Sequence, residues 1–487
     1  MKQIAIIPLL LLALCGTAQT KVTVEQGAES KKVAARYLAS AQQIGTYEGL
    51  NCWVGETKGE RLTVMLTDHN MEPLRSMELP KGEQLRVLAT TIDDKIAHLL
   101  LAEEGYHRMT LLYTSDIDLE TMRPVEGTLP LTLIDSIGYG KKDECKVWAA
   151  ASANGMYAGY LVVVEYKDRR QYSSRTVMLD RSMKEVWNKE FAIGSMDELT
   201  VTDDGTVVTL GYEEDEETTQ FIFNVISKSK ADAYEVSMKC DPIRELHLAG
   251  VVGRHAMAMG LFRPRDSHPN DNEAGGVVGL SFHIDSAALS GFTLRPFMNE
   301  DMNILDNKKT KKIQREQKID FVSMNALTLT DFGAVIAVGR NYERTYKEDN
   351  GMTSHDHHRV GLHMVAMDTV AGIKWVRNVR RNDMQKNGDE LLNVSLLYHN
   401  GHTLLMKSEC PKYPAIYDIS KDAKEFEMDS KSNLVMYRIA DDGEVEKMTI
   451  AGKTPFALLK VGHALDGKLL LMCANGKRTR QTKIEIQ

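Results

Sequence analysis

Residues 199–212 read LTVTDDGTVVTLGY, and residues 327–340 read LTLTDFGAVIAVGR. A chain that carries one phrase twice, far apart, is assembled from repeating units. Each phrase is two β-branched-rich runs around a turn. Asp-Gly between alternating apolar residues marks a hairpin, because tight primed turns need φ > 0. The same pattern centres on Asp94, Gly155, Gly253, Gly401 and Gly467, which with Gly205 and Gly333 makes seven inner hairpins. They recur at intervals of roughly 50 to 80 residues, a period that points to a propeller or another repeat array.

A second phrase alternates with the first. VMLDRSMKEVW (177–187) and VAMDTVAGIKW (365–375) share Val, Asp and Trp at the same offsets. VMLTDHNMEPL (64–74) has the same shape, and LLYTSDIDLETM, FIFNVISKSKADAYEV, VGLSFHIDSAALSGFTL and LVMYRIADDGEVEKM are looser members, seven outer hairpins in all. The first outer hairpin (62–80) lacks a full inner hairpin before it, and the last inner hairpin (455–473) lacks an outer one after it. A ring closed by joining the chain ends produces this order and removes open sheet edges. The expectation is an all-β, seven-bladed β-propeller whose last blade is a composite closed by both termini. The leftover strands GLNCWVGE and TKIEIQ would make eight blades the alternative. A pair of β-sandwich domains would explain the density of strands but not their order.

The chain opens MKQIAIIPLLLLALCGTAQT: a lysine, an apolar run too short to span a bilayer, then small residues up to Ala18. This reads as a signal peptide over 1–18 and export to the periplasm or cell surface. Cys15 offers a lipid-anchor alternative, against which Leu14 stands where a small residue is wanted. Residues 19–44 read as a partly helical segment, through the helical spacing of KKVAARYLASAQQI (31–44), and 45–487 as a single propeller domain. No later run predicts a transmembrane segment. Cys52, Cys145, Cys240, Cys410 and Cys473 remain after cleavage, an odd number that leaves at least one thiol unpaired. They read as buried small hydrophobes, with Cys52–Cys473 as a bridge that would join the chain ends.

A segment that turns from acidic to basic, MNEDMNILDNKKTKKIQREQ, runs straight into a strand and an inner hairpin. In this the chain resembles the uncharacterised secreted β-propeller-like proteins of Bacteroidetes-type bacteria. The resemblance implies a periplasmic or surface protein and carries over no functional residues.

Net charge is −8, so the chain lacks the basic surface that nucleic-acid binding needs. Aromatic residues are only 7%, which disfavours a Trp-rich sugar groove. In a four-stranded blade the inner and outer turns share one end, and the second-to-third-strand connections share the other. The long connections here are RPRDSHPNDNEAGG (263–276), 341–361 and 410–433, with the interblade segment 298–319 emerging beside them. Polar excursions gathered on one rim are where function concentrates. The candidate binding residues are Arg265, Asp266, His268, Tyr342, Arg344, Tyr346, Tyr413 and Tyr417. His355, Asp356, His357 and His358 are the candidate metal ligands, because imidazole with carboxylate suits a divalent ion; a solvated polar loop explains the same run. Neither a GxSxG nucleophile elbow nor an HExxH motif is present, and Gly138-Tyr139-Gly140-Lys141 lacks P-loop spacing. The expectation is therefore a non-catalytic propeller without a cofactor, binding an envelope protein or glycan through its long-loop face. A metal-dependent hydrolase or lyase acting on glycan or peptide is the alternative.

Overall fold

The structure is a computed structural model. It describes residues 22–30, 37, 41–57, 61–68, 70, 72–80, 85–106, 108–167, 171–191, 196–215, 218–267, 272–307, 319–348, 351–386, 392–412, 425–427, 431–463, 467–475 and 478–486. The segment 1–18 lies outside these.

The architecture is all-β. Among the described residues, eight sheets of four or five strands, antiparallel except for one short parallel strand in the sixth, follow one another along the chain, with one additional two-stranded ribbon. In chain order they occupy 42–78, 85–138, 144–191, 198–238, 243–296, 322–386, 394–454 and 457–486. The last sheet takes its outermost strand from the other end of the chain: Val22–Ser30 lies antiparallel to Arg478–Ile486, with Val22 opposite Ile486. No sheet among the described residues closes on itself. Among the described residues no helix is long and apolar enough to cross a membrane.

Seven inner hairpins were expected, and the structure has an eighth. Gln42–Tyr47 and Leu50–Thr57 form it around Glu48 (φ 48°) and Gly49 (φ 80°). A bulge between Gln43 and Gly45 breaks the alternation there, which hides the strand from a period-2 reading. GLNCWVGE thus belongs to the first sheet and TKIEIQ to the eighth, so the observed sheet count is eight rather than seven. The helix expected over 31–44 lies largely outside the described residues, and its end, Gln42–Ile44, is strand. Cys52 and Cys473 are not bridged. Each is buried in a different apolar cluster, and burial pushes both thiols up to about 12.

Local chemistry explains both repeated phrases. In the inner phrase Gly205 (φ 76°) takes the left-handed position of a wider loop, with Gly205 N–H donating to Thr202 O at 3.1 Å and Thr202 N–H to Thr206 O at 2.9 Å. Its twin instead joins Thr330 directly opposite Gly333, so the two copies share strands but not turns. In the outer phrase the shared aspartate organises the turn. Asp180 Oδ1 accepts from Ser182 N and Lys184 N at 2.9 and 3.0 Å, and Asp368 Oδ1 from Val370 N and Gly372 N at 3.0 and 2.7 Å. The shared tryptophan fills the space between sheets: Trp187 packs on Val201, Val207 and Ile226 of the fourth sheet, and Trp375 on Val435, Tyr437 and Ile439 of the seventh.

Each consecutive pair of sheets shares an apolar cluster of this kind. The eighth and first sheets share one too: Tyr37, Ala41 and Trp53 pack on Leu459, Leu470, Met472 and Ala474. Lys460 Nζ also donates to Ala41 O across that seam.

Candidate functional site

The sixth sheet outgrows its neighbours at the end where second and third strands connect. Gly333–Lys347 and Thr353–Asp368 stay paired out to Lys347 opposite Thr353, and Ile373–Lys386 follows them as far as Asp356. The polar excursion expected at 341–361 is therefore a three-stranded extension rather than a loop. Its surroundings come from the other excursions. Glu273–Ala274 pairs with Ile319–Asp320, Asn341 N–H donates to Phe321 O at 2.8 Å, and Phe426–Glu427 adds a short parallel strand beside Asp383 and Met384. The helix Asn299–Leu305 docks behind, where Asp301 meets Arg295 at 2.8 Å and His363 at 3.2 Å.

Strand alternation sorts the candidate residues onto two faces. Tyr342, opposite His358, and Arg344, opposite Asp356, share one face, while Glu343 and Thr345 share the other with His357 and His355. On the first face Tyr342 and His358 stack with ring centroids 4.7 Å apart and planes 7° off parallel. The guanidinium groups of Arg340 and Arg344 sit 5.2 and 5.3 Å from the Tyr342 ring. Arg340 is held by Asp306 at 2.6 Å, whereas Arg344 is exposed. Tyr346 donates to Asp356 at 3.4 Å. His358 is 2% exposed, 3.5 Å from Glu425, and burial outweighs that carboxylate to lower its pKa, which favours a neutral ring. The exposed guanidinium of Arg344 can grip a carboxylate or sulfate, and the exposed Tyr346 ring on the same face can lie against a sugar.

The metal candidates do not converge. His355 and His357 point to Glu343, hydrogen-bonded to the first and 3.9 Å from the second, while Asp356 and His358 lie on the opposite face. Among the described residues no three His, Cys, Asp or Glu side chains are grouped to hold an ion. Arg265 turns to Asp241 at 3.1 Å and to Cys240 O at 3.0 Å, and Asp266 is an exposed turn residue. His268, Tyr413 and Tyr417 lie outside the described residues.

Two features at this end escaped the sequence reading. A cleft of about 200 Å³ between the third and fourth sheets is lined by Lys146, Trp148, Tyr172, Asp197 and three glutamates. Burial, reinforced by Glu198, raises the pKa of Asp197. The second is a buried charge network between the sixth and seventh sheets, built from Arg381, Asp383, Lys407, Glu409 and Lys447. Its letters alternate as a solvent-facing strand would, so only tertiary packing reveals it.

No family model matches the chain, and no curated protein matches it. Solved structures similar to it include the WD40 domain of SCAP from fission yeast (7% identity, 95% of this chain and 94% of that one, TM-score 0.39). The polysaccharide lyase Uly1 aligns at 9% identity over 83% and 90% of the two chains, TM-score 0.36. The β-propeller domain of the Trilobed protease from Pyrococcus furiosus aligns at 11% over 69% and 79%, TM-score 0.32. At these scores the likenesses carry no argument about activity or blade number.

Proposed function

We propose that the chain is an exported, eight-bladed β-propeller that binds without catalysis, through the end bearing the extension of the sixth sheet. The ring reading rests on the apolar seams between consecutive sheets, including the one between eighth and first, and on the N-terminal strand in the last sheet. The binding reading rests on one observation above all: the extension carries the exposed Arg344 and the 39%-exposed Tyr346 beside the Tyr342–His358 stack. That chemistry suits an anionic glycan, or an acidic segment of an envelope protein. We favour this reading over the metal-dependent alternative because the four candidate ligands divide between two faces, His355 and His357 with Glu343 on one and Asp356 and His358 on the other.

The test is to trim the extension without disturbing the sheet. Arg344 and Asp356 face each other across the strands, so replacing 345–355 by Asn-Gly closes a tight hairpin there. Binding of the parent, the trimmed chain and Arg344→Ala to immobilised sulfated and uronate polysaccharides is then compared. The expected outcome is an unchanged melting temperature with binding lost in the trimmed chain and weakened in Arg344→Ala. Equal binding by all three would remove this face from consideration.

A further inference from the structure

The extension of the sixth sheet has an open edge. Val322–Thr330 accompanies Gly333–Lys347 only as far as Val322 opposite Arg340. Beyond that point, among the described residues, 342–347 are paired on one side alone, and 343–348 are exposed. The direction of each backbone group follows from two hydrogen bonds. Glu348 N–H donates inward to Met352 O at 2.8 Å, whereas Asn341 N–H donates outward to Phe321 O at 2.8 Å. Antiparallel strands alternate these directions residue by residue. The N–H and C=O groups of Glu343, Thr345 and Lys347 therefore all point out of the open edge. An edge of this kind is a template for another strand.

We propose that this edge is where two copies of the chain meet, antiparallel, about a two-fold axis at Thr345. In that register Thr345 faces Thr345 of the second copy, and Glu343 and Lys347 face each other twice. Every outward backbone group gains a partner. The side chains agree: opposite charges sit directly across, a Thr–Thr pair lies on the axis, and Arg344 faces Tyr346 on the other side of the sheet. The neighbouring symmetric registers fail. An axis at Glu343 sets that glutamate against its own copy and needs Asn341, whose N–H is taken by Phe321 O. An axis at Lys347 sets lysine against lysine. An axis at Arg344 also satisfies the backbone alternation, but it sets arginine against arginine and brings Lys347 opposite Asn341, whose N–H is taken. An axis at Tyr346 pairs Thr345 with Lys347 and leaves the outward groups of Glu343 beyond the paired stretch. Charges that reject a slipped strand thus accept this one. An edge contact alone is smaller than a stable interface, so the dimer is weak and concentration-dependent. The proposal does not rest on the ligand reading: the backbone groups of the edge carry it, although its register also sets Arg344 of each copy across from Tyr346 of the other.

Sedimentation velocity of the full chain over a range of concentrations tests it. The expected result is a reversible monomer–dimer equilibrium. Lys347→Glu places like charges across both flanking positions and weakens association about tenfold. Glu343→Lys combined with Lys347→Glu restores it, because the pairs are merely swapped. Thr345→Pro removes an N–H that makes no bond within the sheet and abolishes dimerisation while the melting temperature holds. A chain that stays monomeric at every concentration overturns the proposal, as does one whose dimer ignores both Lys347→Glu and Thr345→Pro.

Discussion

Gln43 and His463, separated by 420 positions in sequence, clasp each other like paired strands. The Gln43 side-chain amide donates through Nε2 to His463 O at 2.6 Å and accepts through Oε1 from His463 N–H at 2.9 Å. A side chain here stands in for a peptide group at the junction of the first and eighth sheets. Beneath it lies the apolar seam of Trp53 against Leu470 and Met472.

Removing the clasp should loosen that junction specifically. Gln43→Ala is expected to lower the unfolding free energy by about 1 to 2 kcal/mol, the value of two modest hydrogen bonds. Urea denaturation measures it. A change of less than a few tenths of a kcal/mol would mean that the seam alone holds the ends together.

The buried network between the sixth and seventh sheets gives opposite signs for its two ends. Glu409 holds Lys447 at 2.5 Å and Lys407 at 3.4 Å, and accepts from Tyr437 at 3.0 Å. Glu409→Gln strands buried cations and should cost about 3 to 5 kcal/mol, whereas Lys407→Met, of similar shape, should be neutral or stabilising. Burial lowers the Lys407 pKa, with Glu409 opposing. The folded state therefore binds fewer protons than the unfolded one just below the ordinary lysine value of 10.5, and stability should rise with pH there. Lys407→Met should abolish that rise in alkaline denaturant titrations.

Asp301 predicts the acid limb. Burial alone would raise its pKa, but hydrogen bonds from His363, Asn378 and Met298 N–H outweigh it and hold the carboxyl far below its ordinary value. The stability it contributes is present above the ordinary carboxylate pKa of 3.8 and is lost as pH falls from there towards the folded value. Asp301→Asn should be less stable at neutral pH and show a flatter acid limb in denaturant titrations. An unchanged limb would place the acid sensitivity elsewhere.

His358 makes the candidate site itself sensitive to acid. Its folded pKa lies below the ordinary 6.5, chiefly through burial, so protonation is resisted by the fold and stability declines as pH drops below that value. His358→Phe should keep the stack on Tyr342 and remove this decline. Melting curves at descending pH decide the matter: parallel curves for parent and variant would exclude the stack as the source.

Much of the strand order was legible because turn chemistry is local. The glycines at 155, 205, 253, 401 and 467 all have positive φ at hairpin turns or bends, and the aspartates of the outer phrase cap the turns their spacing implies. The first hairpin was missed where a bulge at Gly45 and two glutamines masked alternation. The stretch 341–361 read as a loop because His, Asp, Arg and Glu are solvent-facing letters. Residues 341–347 and 353–361 are strand because Phe321, Asp383 and Met384, distant in sequence, support their base and flank.

What the sequence determined by itself was therefore the repeating hairpin grammar: the alternation of inner and outer hairpins and most of the positions at which they turn. Those properties depend on neighbours within a few positions. The hairpin order pointed to a last blade shared by both termini, but tertiary structure alone decided that its N-terminal share is Val22–Ser30 beside Arg478–Ile486, that four metal-like side chains divide between two faces, and that Lys407 and Glu409 are buried together. Each of those outcomes is set by which strand arrives alongside from far away, and no local pattern records that.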